Sequence, residues 1–294
     1  MCETPHVLEV ALEPKNSAMS GHLEMALREF AAGKPDIEVA MDQERGLSLL
    51  RAGDERILDE TVGTLKEFLP FEIIVGALQV VYRETLSRTA TIRYTHKKST
   101  NPSPQFADVT IAFEPLPSGS GVAFENDSTQ VPAEFVPAIE KGLRMQAQSG
   151  LLAGFPVTDF VARLVDAKYH QVDSSPLAFD IAARAAFCEL AAKGVAVLLE
   201  PVMKVEVTTP DAFLGSVIGD LNSRRGKIRD VQPCEHGSEV IAATVPLSCM
   251  LGYPVTLDAM TQGHGHYKMA FDSYEWVPID GGDDNFPVAA AMRA

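Results

Sequence analysis

Apolar and polar positions recur along this chain with two periods, about two and about 3.6 residues, and the same order of periods occurs near both ends. In the first third, 7–13 (VLEVALE) reads as a strand, and Asn16 or Ser17 is placed to cap a helix ending before Gly33 and Pro35. Strands at 37–41 and 47–50 follow, then a helix over 54–69 with Ile57, Val62, Leu65 and Phe68 on its apolar side, then a strand at 71–75. In the last third, 203–207 (MKVEV) is a strand and Pro210 and Asp211 open a helix that Gly226 stops. Strands at 227–231 and 239–245, a helix over 247–260 disturbed at Gly252 and Pro254, and a strand at 266–271 complete it. Both thirds therefore read βαββαβ, and connection rules leave the ferredoxin-like plan as the simplest solution.

The middle has another pattern. Strands are expected at 89–94, 107–113 and 122–125, separated by the turn clusters TNPSPQ and PLPSGSG. A helix fits 132–148, a long strand 156–165, and an alanine-rich helix 176–193, with Ser175 as N-cap, Pro176 at the first helical position and Gly194 as the stop. Three α+β domains result, at 1–80, 81–200 and 201–294, and the stretch from Asp272 onward reads as an acidic loop with at most a short terminal helix.

Composition narrows the function. The 294 residues hold 40 Asp and Glu against 25 Lys and Arg, a formal charge of −15, which excludes a protein that grips nucleic acid with its whole surface. Contact with nucleic acid must be local, and the charge is uneven: residues 81–200 carry 11 bases against 13 acids and so come closest to neutral. No run approaches the length of a membrane span, the start lacks the layout of a signal peptide, and four cysteines without CxxC spacing fit reduced thiols. A cytoplasmic protein without a membrane partner is expected.

Several kinds of chemistry can be sought directly. A phosphate-cradling GxxxxGK[ST] loop would need Gly where Leu221 stands and Ser or Thr where Ile228 stands, so this chain has no nucleotide loop of that type. His264 and His266 alternate on an expected strand and could join Cys234 or His236 at a metal, but spacing signals no third ligand, and ordinary strand histidines are the stronger reading. PLPSGSG runs into the strand Val122, Ala123, Phe124, which favours a β-turn linker over a phosphate loop. Two basic clusters stand out. Arg83, Arg88, Arg93, His96, Lys97 and Lys98 lie around Tyr94 with Glu84 as their single acid, a plausible phosphate contact. Arg224, Arg225, Lys227 and Arg229 close an expected helix, where charge complementation of the helix end competes evenly with an RNA contact.

Three long blocks carry a resemblance. LLEPVMKVEVTTPDAFLGSVIGDLNSRRGKI (198–228), LLAGFPVTDFVARLVDAKYHQVDSSPLAFDIAARAAF (151–187) and VPLSCMLGY (245–253) strongly resemble successive segments of the bacterial elongation factor G family, and VALEPKN (10–16) and QVVYRETL (79–86) extend the likeness upstream. The resemblance implies that family's domains three, four and five: ferredoxin-like, then like the second domain of ribosomal protein S5, then ferredoxin-like. It implies a monomeric, ribosome-contacting part of a translational GTPase, with ribosomal RNA, transfer RNA and ribosomal proteins as partners. No enzyme activity and no cofactor are expected of these residues themselves, GTP and Mg belonging to the family's GTPase domain. One tip of the middle domain would be Tyr169, His170, Gln171, Val172, Asp173, Ser174 and Ser175, next to Lys168. His170 and Gln171 are suited to a ribose or base edge and Lys168 to phosphate. With Arg93, Lys97, Lys98, Arg224 and Arg225 these form the candidate RNA-contacting set.

Two segments depart from the family pattern. STNPSPQFADV (99–109) stands where members carry a glycine-rich second tip loop, and GDERILDE (53–60) only partly matches a pattern of the third domain. Both imply a diverged paralog, acting in translocation, in ribosome disassembly and recycling, or in ribosomal protection. The competing reading is a stand-alone ferredoxin-like regulatory module that binds a small ligand between sheets.

Overall fold

The structure is a computed structural model that describes residues 5–42, 46–98, 104–234 and 237–277. The described chain divides into two compact units, one containing the stretch up to Val81 with Glu200–Ser273, the other Tyr82–Leu199 with Tyr274 onward.

In the first unit, β1 (Leu8–Pro14), α1 (Ser20–Ala31), β2 (Ile37–Asp42), β3 (Leu47–Ala52), α2 (Glu55–Phe68) and β4 (Ile73–Val75) form an antiparallel sheet in the order β2-β3-β1-β4, with the short β5 (Gln79–Val80) also on β1. Asn16 accepts a hydrogen bond from the Ala18 N–H and caps the short 3-10 turn Ser17–Met19 that leads into α1, and the Asp54 carboxylate accepts one from the Arg56 N–H and caps α2. Alternation fixes the faces: Leu8, Val10 and Leu12 pair with Ala52, Leu50 and Ser48 on the buried side, against Leu23, Leu27, Leu58 and Leu65 of the helices. This is the ferredoxin-like order.

The later part of the unit repeats it with β11 (Ala196–Pro210), α5 (Leu214–Ser223), β12 (Lys227–Cys234), β13 (Ser238–Pro246), α6 (Leu247–Met250), α7 (Tyr253–Thr261) and β14 (His266–Trp276), in the order β12-β13-β11-β14. The single helix expected over 247–260 is two helices, because Gly252 takes φ +72° between them. Strand β14 continues to Trp276, so the expected acidic loop begins later than Asp272, and the remainder of that segment lies outside the described residues.

The second unit contains β6 (Arg83–Leu86), β7 (Ala90–Lys98), β8 (Gln105–Pro115), β9 (Val122–Asn126), α3 (Val136–Ser149), β10 (Phe160–Lys168) and α4 (Pro176–Ala192). Its sheet runs β7-β8-β10-β9, antiparallel except that β9 lies parallel to β10. Strand β6, which the sequence pattern missed, pairs with the first residues of β11, Leu86 opposite Ala196. The expected strand at 156–165 starts later, at Phe160, because Asp159 occupies φ +58° and its carboxylate accepts the Gly121 N–H at 2.9 Å. That bond also settles PLPSGSG as a turn between β8 and β9. Helices α3 and α4 cover one face of the sheet. A Cβ on Gly142 would stand 2.7 Å from the Asp180 carbonyl oxygen, which is why the closest approach of the two helices falls at a glycine. Beneath them Phe113, Phe160 and Phe187 have ring centroids 5.3–6.5 Å apart.

The architecture is therefore α+β, with two ferredoxin-like βαββαβ folds and an S5 domain 2-like fold between them in sequence. No helix among the described residues is long and apolar enough to cross a membrane.

Candidate nucleic-acid interface

Strand direction decides what meets at one end of the second unit. β7 and β10 both run antiparallel to β8, so the last residues of β7 and β10 and the first of β8 lie at one end of the sheet. Lys97 lies opposite Phe106, Lys98 opposite Gln105, and Lys168 opposite Asp108. The structure thus brings Lys97 and Lys98 to the end from which the segment 169–175 springs, although about seventy residues separate them in sequence.

A β-bulge aims Lys168. Along β10, Phe160, Ala162 and Leu164 point into the core, and unbroken alternation would turn Asp166 and Lys168 inward as well. The register slips between Leu164 and Asp166, leaving Val165 as the extra residue, so Ala167 enters the core and Lys168 stays exposed.

The loop is fastened at both ends. Phe106 N–H donates to the Asp173 carbonyl at 2.9 Å, and the Ser174 hydroxyl donates to the Phe106 carbonyl at 2.7 Å while accepting the His170 N–H at 2.9 Å. The Ser175 hydroxyl accepts the Ala178 N–H and caps α4. Tyr169, half exposed, rests with its ring centroid 6.3 Å from that of Phe135, which in turn stacks on Phe179 at 4.7 Å. His170 Nδ1 lies 3.2 Å from the Asp173 carboxylate. Gln171 is exposed, and Val172, 82% exposed, is the outermost apolar side chain of the loop. The sequence pattern assigns Phe106 no role, and it holds no signal for one, since the part Phe106 plays falls to its backbone atoms.

Arg93, 60% exposed, is paired within the sheet. Its guanidinium makes a bidentate pair with Asp108, at 3.1 and 2.8 Å, and Thr95 donates to the same carboxylate at 3.1 Å. These bonds, the Arg93 hydrogen bond first, hold the Asp108 carboxyl below the usual carboxylate range against the opposing effect of burial, with Lys168 adding to the lowering. Arg83 and Arg88 are also engaged, Arg83 over the Tyr274 ring at 4.6 Å and Arg88 on the Lys193 carbonyl at 3.1 Å. His96 pairs with Gln105 at 3.0 Å. The basic run of the sequence is thereby sorted, with Lys97 and Lys98 at the sheet end and the arginines committed to the fold. Of the second tip loop, Ser99–Ser103 lie outside the described residues.

Arg224 and Arg225 belong to the other unit. Every guanidinium nitrogen of Arg224 has a partner: Nε on Asp220 at 2.7 Å, Nη1 on the Cys249 carbonyl at 2.6 Å, and Nη2 on Thr256 Oγ1 at 3.1 Å. The group also lies 5.0 Å from the Tyr253 ring centre. Arg225, at φ +62°, forms a bidentate pair with the buried Glu200. The Arg224 side chain is 18% exposed and that of Arg225 42%, so these bonds tie both groups to the fold, Arg224 the more deeply. Among the described residues no His, Cys, Asp and Glu group could hold a metal, and His264, expected on a strand, lies in the turn before β14 with Nδ1 3.2 Å from the Thr261 carbonyl.

The S5 domain 2-like fold is anchored by one residue that the sequence pattern shows only as an acid among bases. The Glu84 carboxylate is fully buried and accepts the N–H groups of Leu151, Leu152, Ala153 and Phe155 at 2.6–3.2 Å, gathering the LLAGF segment around itself.

Two ferredoxin-like folds and an S5 domain 2-like fold in this order define a protein of the translation-factor class. Residues 78–194 match the family model for elongation factor G, domain IV, and residues 197–284 match that for the elongation factor G C-terminus. The chain is 46% identical over 274 residues to elongation factor G of Anaplasma phagocytophilum (strain HZ), covering 92% of this chain and 40% of that protein. It is 45% identical over 280 residues to that of Anaplasma marginale (strain Florida), covering 95% of this chain and 40% of the relative. A crystal structure of a protein from Thermus thermophilus superposes with a TM-score of 0.72 at 33% identity, covering all of this chain and 44% of that one. The chain belongs to the elongation factor G family, and it spans 40% of the length of the curated relatives it matches.

Proposed function

We propose that this chain is the ribosome-contacting C-terminal part of a translational GTPase, and that the end of its second unit enters an RNA-rich site. The observation that carries the reading is the meeting of Lys97, Lys98 and Lys168 with the loop Tyr169, His170, Gln171, Val172, Asp173 and Ser174 at one end of one sheet. Cations gathered there, on a chain of formal charge −15, match a partner met at one point rather than along a surface. Lys97, Lys98 and Lys168 would meet phosphates, and Tyr169, His170 and Gln171 would meet bases and riboses. Arg93, Arg224 and Arg225 serve chiefly to hold the fold.

In this reading the partners are ribosomal RNA, transfer RNA and ribosomal proteins, met by a monomer in the cytoplasm. GTP and Mg would be used by the part of the relatives that this chain does not span, and these residues would turn hydrolysis there into translocation or ribosome disassembly. A filter-binding titration of the 294-residue chain against 70S ribosomes tests the proposal. Affinity should fall steeply as salt rises from about 50 to 200 mM, as it does on release of counterions from phosphates. Binding that ignores salt, or no binding, would overturn it.

A further inference from the structure

One acid sits among the cations of the sheet end. Asp108 lies directly opposite Lys168 on one side and Thr95 on the other, and its side chain is only 8% exposed. Residues directly opposite across an antiparallel pair share a face with Cβ atoms about 5 Å apart, well within the reach of a lysine. A carboxylate so buried needs a partner, because an unpaired charge there is costly. Yet Lys168 is exposed and makes no ion pair or hydrogen bond among the described residues. The place it would take is filled. Arg93, opposite Thr110 and so two residues along β8, reaches across and donates to both oxygens of Asp108 at 3.1 and 2.8 Å, and Thr95 adds a third bond at 3.1 Å. Arg93 and Thr95 thus act on this carboxyl by hydrogen bonds, and Lys168 through its charge alone. Asp166, opposite Thr110 on β10, is the other acid nearby, and it forms an ion pair with neither Arg93 nor Lys168.

We propose that Arg93 is a positioning residue for Lys168: by occupying the Asp108 carboxylate it keeps the lysine free to meet a phosphate of the partner. A guanidinium suits this task better than an ammonium, because its planar fork matches both carboxylate oxygens at once. The buried acid is then satisfied by a cation that the fold holds rather than by one that the partner needs. Without Arg93 the nearest cation to a desolvated carboxylate is Lys168, and the pair they form is neutral where a phosphate should arrive. This rests on the ribosome-contacting reading for the phosphate, but the exchange of partners at Asp108 is a property of the free chain.

The two are tested separately. A crystal structure of the Arg93→Ala chain should show the Lys168 ammonium within ion-pair distance, about 4 Å, of the Asp108 carboxylate; a lysine still free of it overturns the inference. In the ribosome titration, Arg93→Ala should lower the slope of log affinity against log salt by about 0.7–0.9, the share of one phosphate. It should lower the slope no further when Lys168 is already alanine. Arg93→Ala combined with Asp108→Asn, which leaves no acid to capture the lysine, should return the slope to that of wild type. Direct binding of phosphate by Arg93 predicts no such rescue, and a purely structural role predicts no change of slope in the first place. An unchanged slope in Arg93→Ala, or a lowered one in the double variant, therefore overturns the inference. The double variant buries no unpaired charge, so it decides the matter even where Arg93→Ala alone fails to fold. Absence of binding by the wild-type chain overturns the ribosomal reading instead, and leaves the exchange at Asp108 decided by the crystal structure.

Discussion

The Ser174 hydroxyl donates to the Phe106 carbonyl at 2.7 Å and accepts the His170 N–H at 2.9 Å, so one side chain ties the loop after β10 to the start of β8 and closes the loop on itself. Ser174→Ala removes both bonds and leaves a partly buried carbonyl and an amide without them. The expected cost is about 1–2 kcal/mol of unfolding free energy, read by urea denaturation. Hydrogen exchange at the His170 amide should quicken more than exchange in the β8 core, because the change frees the loop before it loosens the sheet.

Glu84 is the opposite case, a buried charge satisfied entirely by backbone. Glu84→Gln replaces one accepting oxygen by an NH2 that must face N–H groups, so at least one donor is left without its acceptor in a fully buried site. A destabilisation of about 3 kcal/mol or more follows, and Glu84→Ala should cost at least as much. Thermal unfolding of the two variants checks this; a Tm within about two degrees of wild type would mean that the LLAGF segment holds its shape without the carboxylate.

The lysines and Arg224 should separate binding from stability. Lys97→Ala, Lys98→Ala and Lys168→Ala change exposed side chains, and each should leave unfolding free energy within about 0.5 kcal/mol of wild type. The triple variant should reduce the slope of log affinity against log salt for ribosomes by about two to three, roughly 0.7–0.9 for each phosphate no longer neutralised. Arg224→Ala should do the reverse. It breaks bonds to Asp220, the Cys249 carbonyl and Thr256, destabilising the fold by about 2–3 kcal/mol with little change in the salt slope.

Asp108 gives the sheet end a pH dependence. Its folded carboxyl titrates below the ordinary aspartate value of 3.8, chiefly through the Arg93 hydrogen bond. A group with a depressed folded pKa contributes its full stability above the unfolded value and loses it as pH falls through the folded one. Stability of the wild type should therefore decline more steeply than that of Asp108→Asn from about pH 4 downward. Urea denaturation at about pH 7 and across about pH 4 to 2 checks the sign; parallel curves would mean that the pair adds nothing.

The sequence by itself determined the two βαββαβ orders, the helix starts near Asn16 and Asp54, the cap at Ser175, and the membership of the family. Each of these is written in local periodicity, in a residue next to its own helix, or in long contiguous blocks. It located the loop 169–175 and the lysines 97 and 98 as separate features. Only the tertiary structure decided that they meet, because pairing of β7 and β10 with opposite sides of β8 is a relation between distant segments. The same holds for the arginines. Nothing local distinguishes Lys97 from Arg93 or Arg224, and the difference lies in carboxylates and carbonyls brought up from elsewhere in the chain. It holds most clearly for Lys168, whose outward aim depends on one extra residue at Val165, since a single slip of register exchanges the faces of every side chain that follows.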